Sequence, residues 1–437
     1  MITIWFNILL SATCFSAAFL FPQFLAWTIV LFLPLLIPVF WQKRAFAHGF
    51  VWGIATYSIY SIWFFQLLRT HSQASMLLAL GVYGIVVVYV ALTSGLWFWA
   101  THKIVTIAER ITRMITRRLL QGVSIIATTV GYFVLLDRWL LTPLGRVEGF
   151  SLLNPLIPLA HYGWFLKICA LVCSLMYGDS LKIAPPHQKI PSTVVFLHLE
   201  PLVNKKKGED KPWAWSSRGV GQEIFHQLHA LNIQQYDDKQ VFIVAPESTY
   251  RFALNQYPEI INLWATVLPK NAQLLIGALY HGDGKLFQAA YWIHQGRIIN
   301  LYVKKHRLPF VEKIPNIWRK FQWLNELFLK DVVEFAPGKN KRWSKIFCLT
   351  PTLCGVPTLC SEFFFRRSIR EFVSFKKILQ KDSGRSMAIF LFVNNSWFND
   401  YFCTILELFT RLKSAAIGLP VVYVTHEKVE VIGNLPL

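Results

Sequence analysis

Carboxylates are missing from the first hundred residues: Met1 to Ala100 contains no Asp and no Glu. Charge is scarce in the whole chain as well, at 16% of 437 residues, while 54% are hydrophobic and the mean hydropathy is +0.40. That balance excludes an ordinary soluble protein and points to the membrane class. Acidic residues are outnumbered by basic ones, 24 against 44, for a net charge of +20. Much of the excess lies in loops beside apolar stretches. The chain also lacks an aromatic-interleaved basic motif and a glycine-rich phosphate cradle. Anionic lipid head groups are therefore the expected partner of the basic loops, and nucleic acid is not.

The seven cysteines include no CxxC pair and no zinc spacing with histidine, so neither a metal nor another cofactor is expected. Cys14, Cys169 and Cys173 fall in apolar stretches and read as packed hydrophobes. Cys348, Cys354, Cys360 and Cys403 lie in the more polar half, where a disulfide framework is possible but nothing demands one. There is no internal repeat and no low-complexity tract.

What the first half does contain is apolar sequence of membrane-crossing length. Six stretches qualify: Ile2 to Leu20, Phe24 to Trp41, Gly49 to Leu68, Met76 to Ala100, Gly122 to Leu144 and Leu153 to Met176. The first has no basic segment before it and a second follows almost at once, so it reads as a retained anchor. Lys43 and Arg44 follow the second stretch. Lys103, Arg110, Arg113, Arg117 and Arg118 follow the fourth, against a lone Glu109. Both loops, and with them the N-terminus, are expected on the cytoplasmic side. Pro185, Pro186 and Pro191 mark 179–191 as a linker between a polytopic transmembrane domain over 1–178 and a second domain over 192–437.

The second domain alternates short apolar runs with helical patterns. Thr193 to Leu199, Gln240 to Ala245, Gln273 to Leu279, Ala289 to His294, Ile298 to Val303, Thr358 to Cys360 and Ala388 to Val393 read as strands. Gly221 to Leu231, Glu259 to Val267 and Thr404 to Ile417 read as helices. This order is that of a layered α/β domain around a mixed sheet.

Three of the strands end in a reactive side chain. Val244-Ala245-Pro246-Glu247-Ser248 stops at a proline and presents a carboxylate. Tyr302-Val303-Lys304-Lys305-His306-Arg307-Leu308-Pro309-Phe310-Val311-Glu312 runs from a strand into a lysine and a Pro-Phe loop that ends in a second carboxylate. Gly355-Val356-Pro357-Thr358-Leu359-Cys360-Ser361-Glu362 ends in a thiol. Each alone has a bland reading: a turn, a solvated basic loop, a buried core thiol. Their joint occurrence in the order Glu, Lys, Cys does not.

These boxes, with Asn394-Asn395-Ser396-Trp397-Phe398, resemble the carbon-nitrogen hydrolase (nitrilase) superfamily and, within it, the apolipoprotein N-acyltransferases. The stretch from Arg44 to Phe65 and Gly149-Phe150-Ser151-Leu152 are similar to that family's membrane half, so the resemblance covers most of the chain. It implies a multi-pass α-helical membrane domain joined to a nitrilase-type αββα sandwich, C-terminally shortened. It also implies that Cys360 is the nucleophile, Glu247 the general base and Lys304 the oxyanion-stabilising charge. Glu312 would help to position the lysine and substrate, and Glu362 and Trp397 would line the site. The two-residue step to His306 selects Lys304 over Lys305. Cys354 sits in a frame like that of Cys360 but lacks the following Glu, so it reads as structural.

Several positions depart from the family pattern. Ser361 stands where the N-acyltransferases have an aromatic residue, Asn395 where they have an Asp, and Ala416 where a Glu is usual. His426-Glu427 replaces an Asn-rich turn. The sequence stops at Leu437, before the last strands and closing helix of that family, and has six apolar stretches where the family has seven. In this it is similar to a shorter branch, the TraB-type conjugal-transfer proteins.

The resemblance implies transfer of a phospholipid acyl chain, through a Cys360 thioester, to an amine such as a lipoprotein N-terminus. A membrane-tethered amidase or nitrilase-type hydrolase and a conjugal-transfer protein with a nitrilase-like scaffold are the alternatives. The expected location is the bacterial inner membrane. Six crossings from a cytoplasmic N-terminus would return the second domain to the cytoplasm, whereas the resemblance places it in the periplasm. Pro143, Gly145, Pro155 and Pro158 disturb the last two stretches, which favours the periplasmic side.

Overall fold

The computed structural model describes residues 2–70, 75–111, 114–139, 155–162, 190–199, 217–307, 312–313, 334–338, 346–383 and 385–433. These form two compact units, one of the described residues up to 162 together with Trp397–Ala416, the other of the remainder.

The first unit is helical: α1 (Ile2–Leu20), α2 (Ile29–Phe40), α3 (Ala45–Tyr60), α4 (Ile62–Thr70), α5 (Met76–Ile111) and α6 (Met114–Trp139). Three stretches are long and apolar enough to cross a membrane: Ile2–Leu20, Pro22–Phe40 and Met76–Arg110. Helices α3 and α4, bent by 48° at Ser61, make a fourth if taken as one span. These match the first four expected stretches. The fifth is covered only up to Trp139, by α6, whose apolar part, Arg118–Val134, is shorter than a membrane span, and 140–144 lie outside the described residues. Most of the sixth, and Gly149 to Leu152, lie outside the described residues.

Small residues let these helices approach closely. A side chain at Gly49 would meet Phe98 Cβ at 2.6 Å, and one at Gly53 would meet Ala91 Cα at 2.6 Å, so glycine four residues apart on α3 lets it pack against the backbone of α5. Several buried polar side chains of this unit are hydrogen-bonded within it. Trp52 Nε1 donates to Ser11 Oγ at 3.1 Å, Ser11 Oγ donates to the Phe32 carbonyl at 2.8 Å, and Ser94 Oγ lies 2.7 Å from the Tyr132 hydroxyl. Large apolar side chains such as Phe6, Phe24, Leu77 and Ile85 face outward and are exposed. Such a surface suits hydrocarbon better than water.

The second unit contains ten strands: β1 (Val194–His198), β2 (Gln240–Ala253), β3 (Ala272–Gly282), β4 (Lys285–His294), β5 (Arg297–Val303), β6 (Phe347–Cys348), β7 (Leu353–Leu359), β8 (Ser386–Phe392), β9 (Val421–Val424) and β10 (Val429–Ile432). They build two mixed five-stranded sheets, in the orders β1-β2-β3-β4-β5 and β10-β9-β8-β7-β6. One core joins both sheets, with Phe242, Val244, Leu275 and Tyr302 from the first and Leu359, Phe390, Phe392 and Val422 from the second. The alternate residues of the first sheet, Val241, Ile243, Ile276 and Tyr291, pack under α7 (Ser217–Ala230) and α8 (Pro258–Ala265), which supply Ile224, Leu228, Ile261 and Trp264. Helix α9 (Arg366–Ser383) lies on β8 of the second sheet. The result is helix, sheet, sheet, helix: an αββα sandwich in which the period-two pattern of each strand serves two different cores.

Helix α10 (Asp400–Ile417) belongs, up to Ala416, to the helical unit. The Tyr401 hydroxyl accepts from the Trp63 N–H and donates to the Tyr60 carbonyl, both at 3.0 Å, and the Trp63 and Phe402 rings stack at 4.0 Å. Cys348 and Cys354, directly opposite each other on β6 and β7, form a disulfide. The structural role read for Cys354 thus takes a covalent form.

Candidate active site

Parallel neighbours β1, β2 and β3 in one sheet, and β7, β8 and β9 in the other, point their C-terminal ends the same way within each sheet. Cys360 directly follows β7, Lys304 directly follows β5, and Glu247 stands within β2 where its pairing is interrupted. Residues Val241 to Ala245 of β2 are wholly buried, and the pairing with β3 slips between Ala245 and Tyr250. The slip is a bulge inside β2, which re-aims the side chains beside it. Ser248 adopts φ 54° there, directly after Glu247. Gly277 of β3 is what permits the approach: a Cβ on it would lie 2.4 Å from the Pro246 carbonyl oxygen and 2.6 Å from Glu247 Cα.

Lys304 follows β5 without a break in pairing, its N–H donating to the Gln288 carbonyl and its carbonyl accepting from the Gly338 N–H, both at 2.8 Å. Gly338 is again obligatory, because a Cβ would stand 2.4 Å from the Val303 oxygen. The Lys304 ammonium donates to Glu247 Oε1 at 2.8 Å and to Glu312 Oε1 at 2.6 Å. All three side chains are essentially sealed from solvent, at 1%, 1% and 0% exposure. Two of the three ammonium donors are used in this way, and Glu247 Oε2 has no hydrogen-bond partner.

Cys360 is also buried, at 2%. The expected strand Thr358 to Cys360 ends one residue earlier, at Leu359, and Cys360 opens a 3-10 turn at φ 42°. A non-glycine residue held in that region is strained, and the turn carries the thiol off the strand.

Electrostatics couple the group. Burial pushes the Glu247 carboxyl up to about 7, Glu312 and Glu362 adding to the rise and Lys304 opposing it. For Lys304, burial disfavours the charge, but Glu247, Glu312 and Cys360 outweigh it and raise its pKa. The Cys360 thiol is pushed well above its ordinary value by burial and by Glu247, against the pull of Lys304. The resting site therefore holds a neutral thiol, a fixed ammonium and a carboxyl that exchanges its proton near neutrality. Such a set can activate a thiol, stabilise an oxyanion and return a proton.

Glu362 is held differently from the expectation, and the expected lining role of Trp397 falls on a side chain outside the described residues. Glu362 was assigned to the lining, but its carboxylate is turned into the scaffold. Its Oε1 accepts from the Lys305 and His306 N–H groups at 2.7 and 3.0 Å, and its Oε2 from the Tyr302 hydroxyl at 2.8 Å and the Leu359 N–H at 3.2 Å. It ties the backbone after Lys304 to the backbone before Cys360. Trp397 closes a 3-10 turn from Asn395, and its side chain is outside the described residues. Asn395 Oδ1 accepts from the His426 N–H at 3.0 Å, so the departing residue His426 is anchored at the end of β9.

Sequence patterns did not single out Gly277, Gly338 or Gln288. Among the described residues no group of three or more His, Cys, Asp or Glu side chains is placed to hold a metal ion.

No family model and no curated protein matches the chain. Among solved structures it is similar to a glutamine-dependent NAD+ synthetase from Acinetobacter baumannii, with TM-score 0.33 and 11% identity over 48% of this chain and 35% of that one. It thus spans about a third of the length of the synthetase. It is also similar to a CN-hydrolase superfamily protein from Xanthomonas campestris solved with an arsenic adduct in its active site. That likeness has TM-score 0.29 and 13% identity, over 49% of this chain and 74% of that one. The reading of the site rests on its own side chains.

Proposed function

We propose that the chain is a membrane-bound acyltransferase of the carbon-nitrogen hydrolase type that works through a thioester on Cys360. The observation that carries this reading is the buried Lys304 ammonium held between Glu247 and Glu312, at 2.8 and 2.6 Å, with its charge acting on Cys360. A structural ion pair would need one carboxylate, and burying two beside a thiol is costly without a chemical use.

In the proposed cycle Glu247 takes the Cys360 proton as the thiolate attacks the acyl carbonyl. The third N–H of Lys304 meets the oxyanion, and the leaving alcohol departs with the proton held on Glu247. Glu247 then deprotonates an incoming amine, which displaces Cys360. Glu312 fixes Lys304. The apolar helical unit supports a lipid as acyl donor, since it would hold the protein where phospholipid is abundant, and an amine such as a lipoprotein N-terminus is the acceptor. The basic loops suit anionic head groups, and the sandwich is placed on the periplasmic side of the inner membrane.

The test is transfer in liposomes, with acyl-labelled phospholipid and a peptide bearing a free N-terminus. N-acyl peptide is the expected product. Free fatty acid alone would instead favour a hydrolase, and no release of label from any phospholipid would remove the lipid donor from the reading.

A further inference from the structure

Gln288 is 2% exposed, and neither its Nε2 nor its Oε1 has a hydrogen-bond partner. A buried amide with both ends unmet is costly to keep, so its place in the fold matters. Strand register gives that place. Ala290 stands opposite Tyr302 and Ala289 opposite Val303, and the Lys304 N–H donates to the Gln288 carbonyl. Gln288 therefore stands opposite Lys304. Directly opposed residues in an antiparallel pair share a face, their Cβ atoms roughly 4.5–5.5 Å apart. The face is the one between the sheets, since Ala290 and Tyr302 both belong to that core. On its other side Gln288 is opposite Leu279, two residues beyond the Gly277 that admits Glu247.

A second observation points the same way. The Ser361 hydroxyl, next to Cys360, is buried and unpartnered too. One open polar group thus stands beside the lysine and another beside the thiol. An aliphatic surface would satisfy neither. Atoms that donate and accept hydrogen bonds at the reacting carbon would satisfy both.

We propose that Gln288 holds the amine that receives the acyl group, an inference that rests on the thioester reading above. Its Oε1 accepts from an amine N–H, and its Nε2 donates to the oxyanion that forms as the amine adds. The amine nitrogen bonds to the thioester carbon, the C–Sγ bond breaks, and the amine proton passes through Glu247 to the departing thiolate. The products are an N-acyl amine and the free Cys360 thiol. An ester donor offers only acceptors and leaves Oε1 unmet, whereas an amine meets Oε1 with an N–H while Nε2 meets the oxyanion. The residue therefore acts on acceptor choice more than on acylation.

The experiment uses the full chain in detergent with phospholipid and a primary-amine peptide. It measures the ratio of N-acyl peptide to free fatty acid, the yield of Cys360 thioester, and Tm. Gln288→Met should lower the ratio about tenfold, the effect of one lost hydrogen bond that orients the amine. Its Tm should not fall, because methionine removes unmet polar atoms, and Gln288→Asn should recover part of the ratio. An unchanged ratio in Gln288→Met, with wild-type thioester present, overturns the role of Gln288 and leaves the thioester reading intact. A lost ratio accompanied by a lower Tm makes Gln288 a packing residue and also overturns it. Absence of any wild-type thioester overturns both.

Discussion

The Lys304 ammonium donates to Glu247 Oε1 at 2.8 Å with each side chain 1% exposed, whereas the neighbouring Lys305 reaches Glu371 at 3.4 Å on the open surface. Two adjacent lysines thus have different solvents. Removing one partner of a buried pair costs roughly 3–5 kcal/mol, while an exposed pair contributes about 0–1 kcal/mol. Lys304→Met should lower Tm markedly and abolish acylation, and Lys305→Met should leave both near wild type. Equal defects in the two variants would show that the lysine is misassigned.

The pH profile follows from Glu247. Its carboxyl is raised to about 7, so below that pH it is protonated and cannot take the Cys360 proton, and above it the base is available. Single-turnover acylation should climb with pH and reach half its plateau near 7. Glu247→Gln should lose this limb along with most of the rate. A wild-type rate that falls as pH rises through the same range would contradict the assignment.

Glu362 should fail differently from Glu247. Glutamine at 362 offers one acceptor oxygen where the carboxylate meets four donors, and each unmet buried group costs about 1–3 kcal/mol. Glu362→Gln is therefore expected to unfold at lower denaturant yet still form some thioester in native buffer. Full stability with no thioester would return Glu362 to the site lining.

The Cys348–Cys354 disulfide closes a loop with a sequence separation of 6. On chain-entropy grounds its removal should cost about 2 kcal/mol. Disulfides persist in oxidising compartments, which agrees with the proposed periplasmic placement. Alkylation of denatured, unreduced protein from cells should leave both cysteines unlabelled, and labelling of either would argue against that placement.

The burial of the candidate residues was legible where a reactive side chain adjoins an apolar run, as with Glu247 after Val241 to Ala245, Lys304 after β5 and Cys360 after β7. Glu312 was legible only through its fixed distance from Lys304. The inward turn of Glu362 was not, since its acceptors bind backbone groups 56 and 57 residues away in sequence. Gln288, Gly277 and Gly338 depend on the register of β3, β4 and β5, which no local pattern encodes. Helix α9 carries its own signal, since Ile369, Phe372, Phe375 and Leu379 recur at helical spacing and are buried, but many lysines and arginines between them mask it. Strands β9 and β10, at 4 residues each, are too short for a period to show.

The most direct test of the central claim is the intact mass of the detergent-purified chain after incubation with phospholipid and no amine. The account predicts a single acyl adduct that hydroxylamine removes and that Cys360→Ala lacks entirely. An adduct of the same mass surviving in Cys360→Ala, or none in the wild type with any phospholipid, would contradict it.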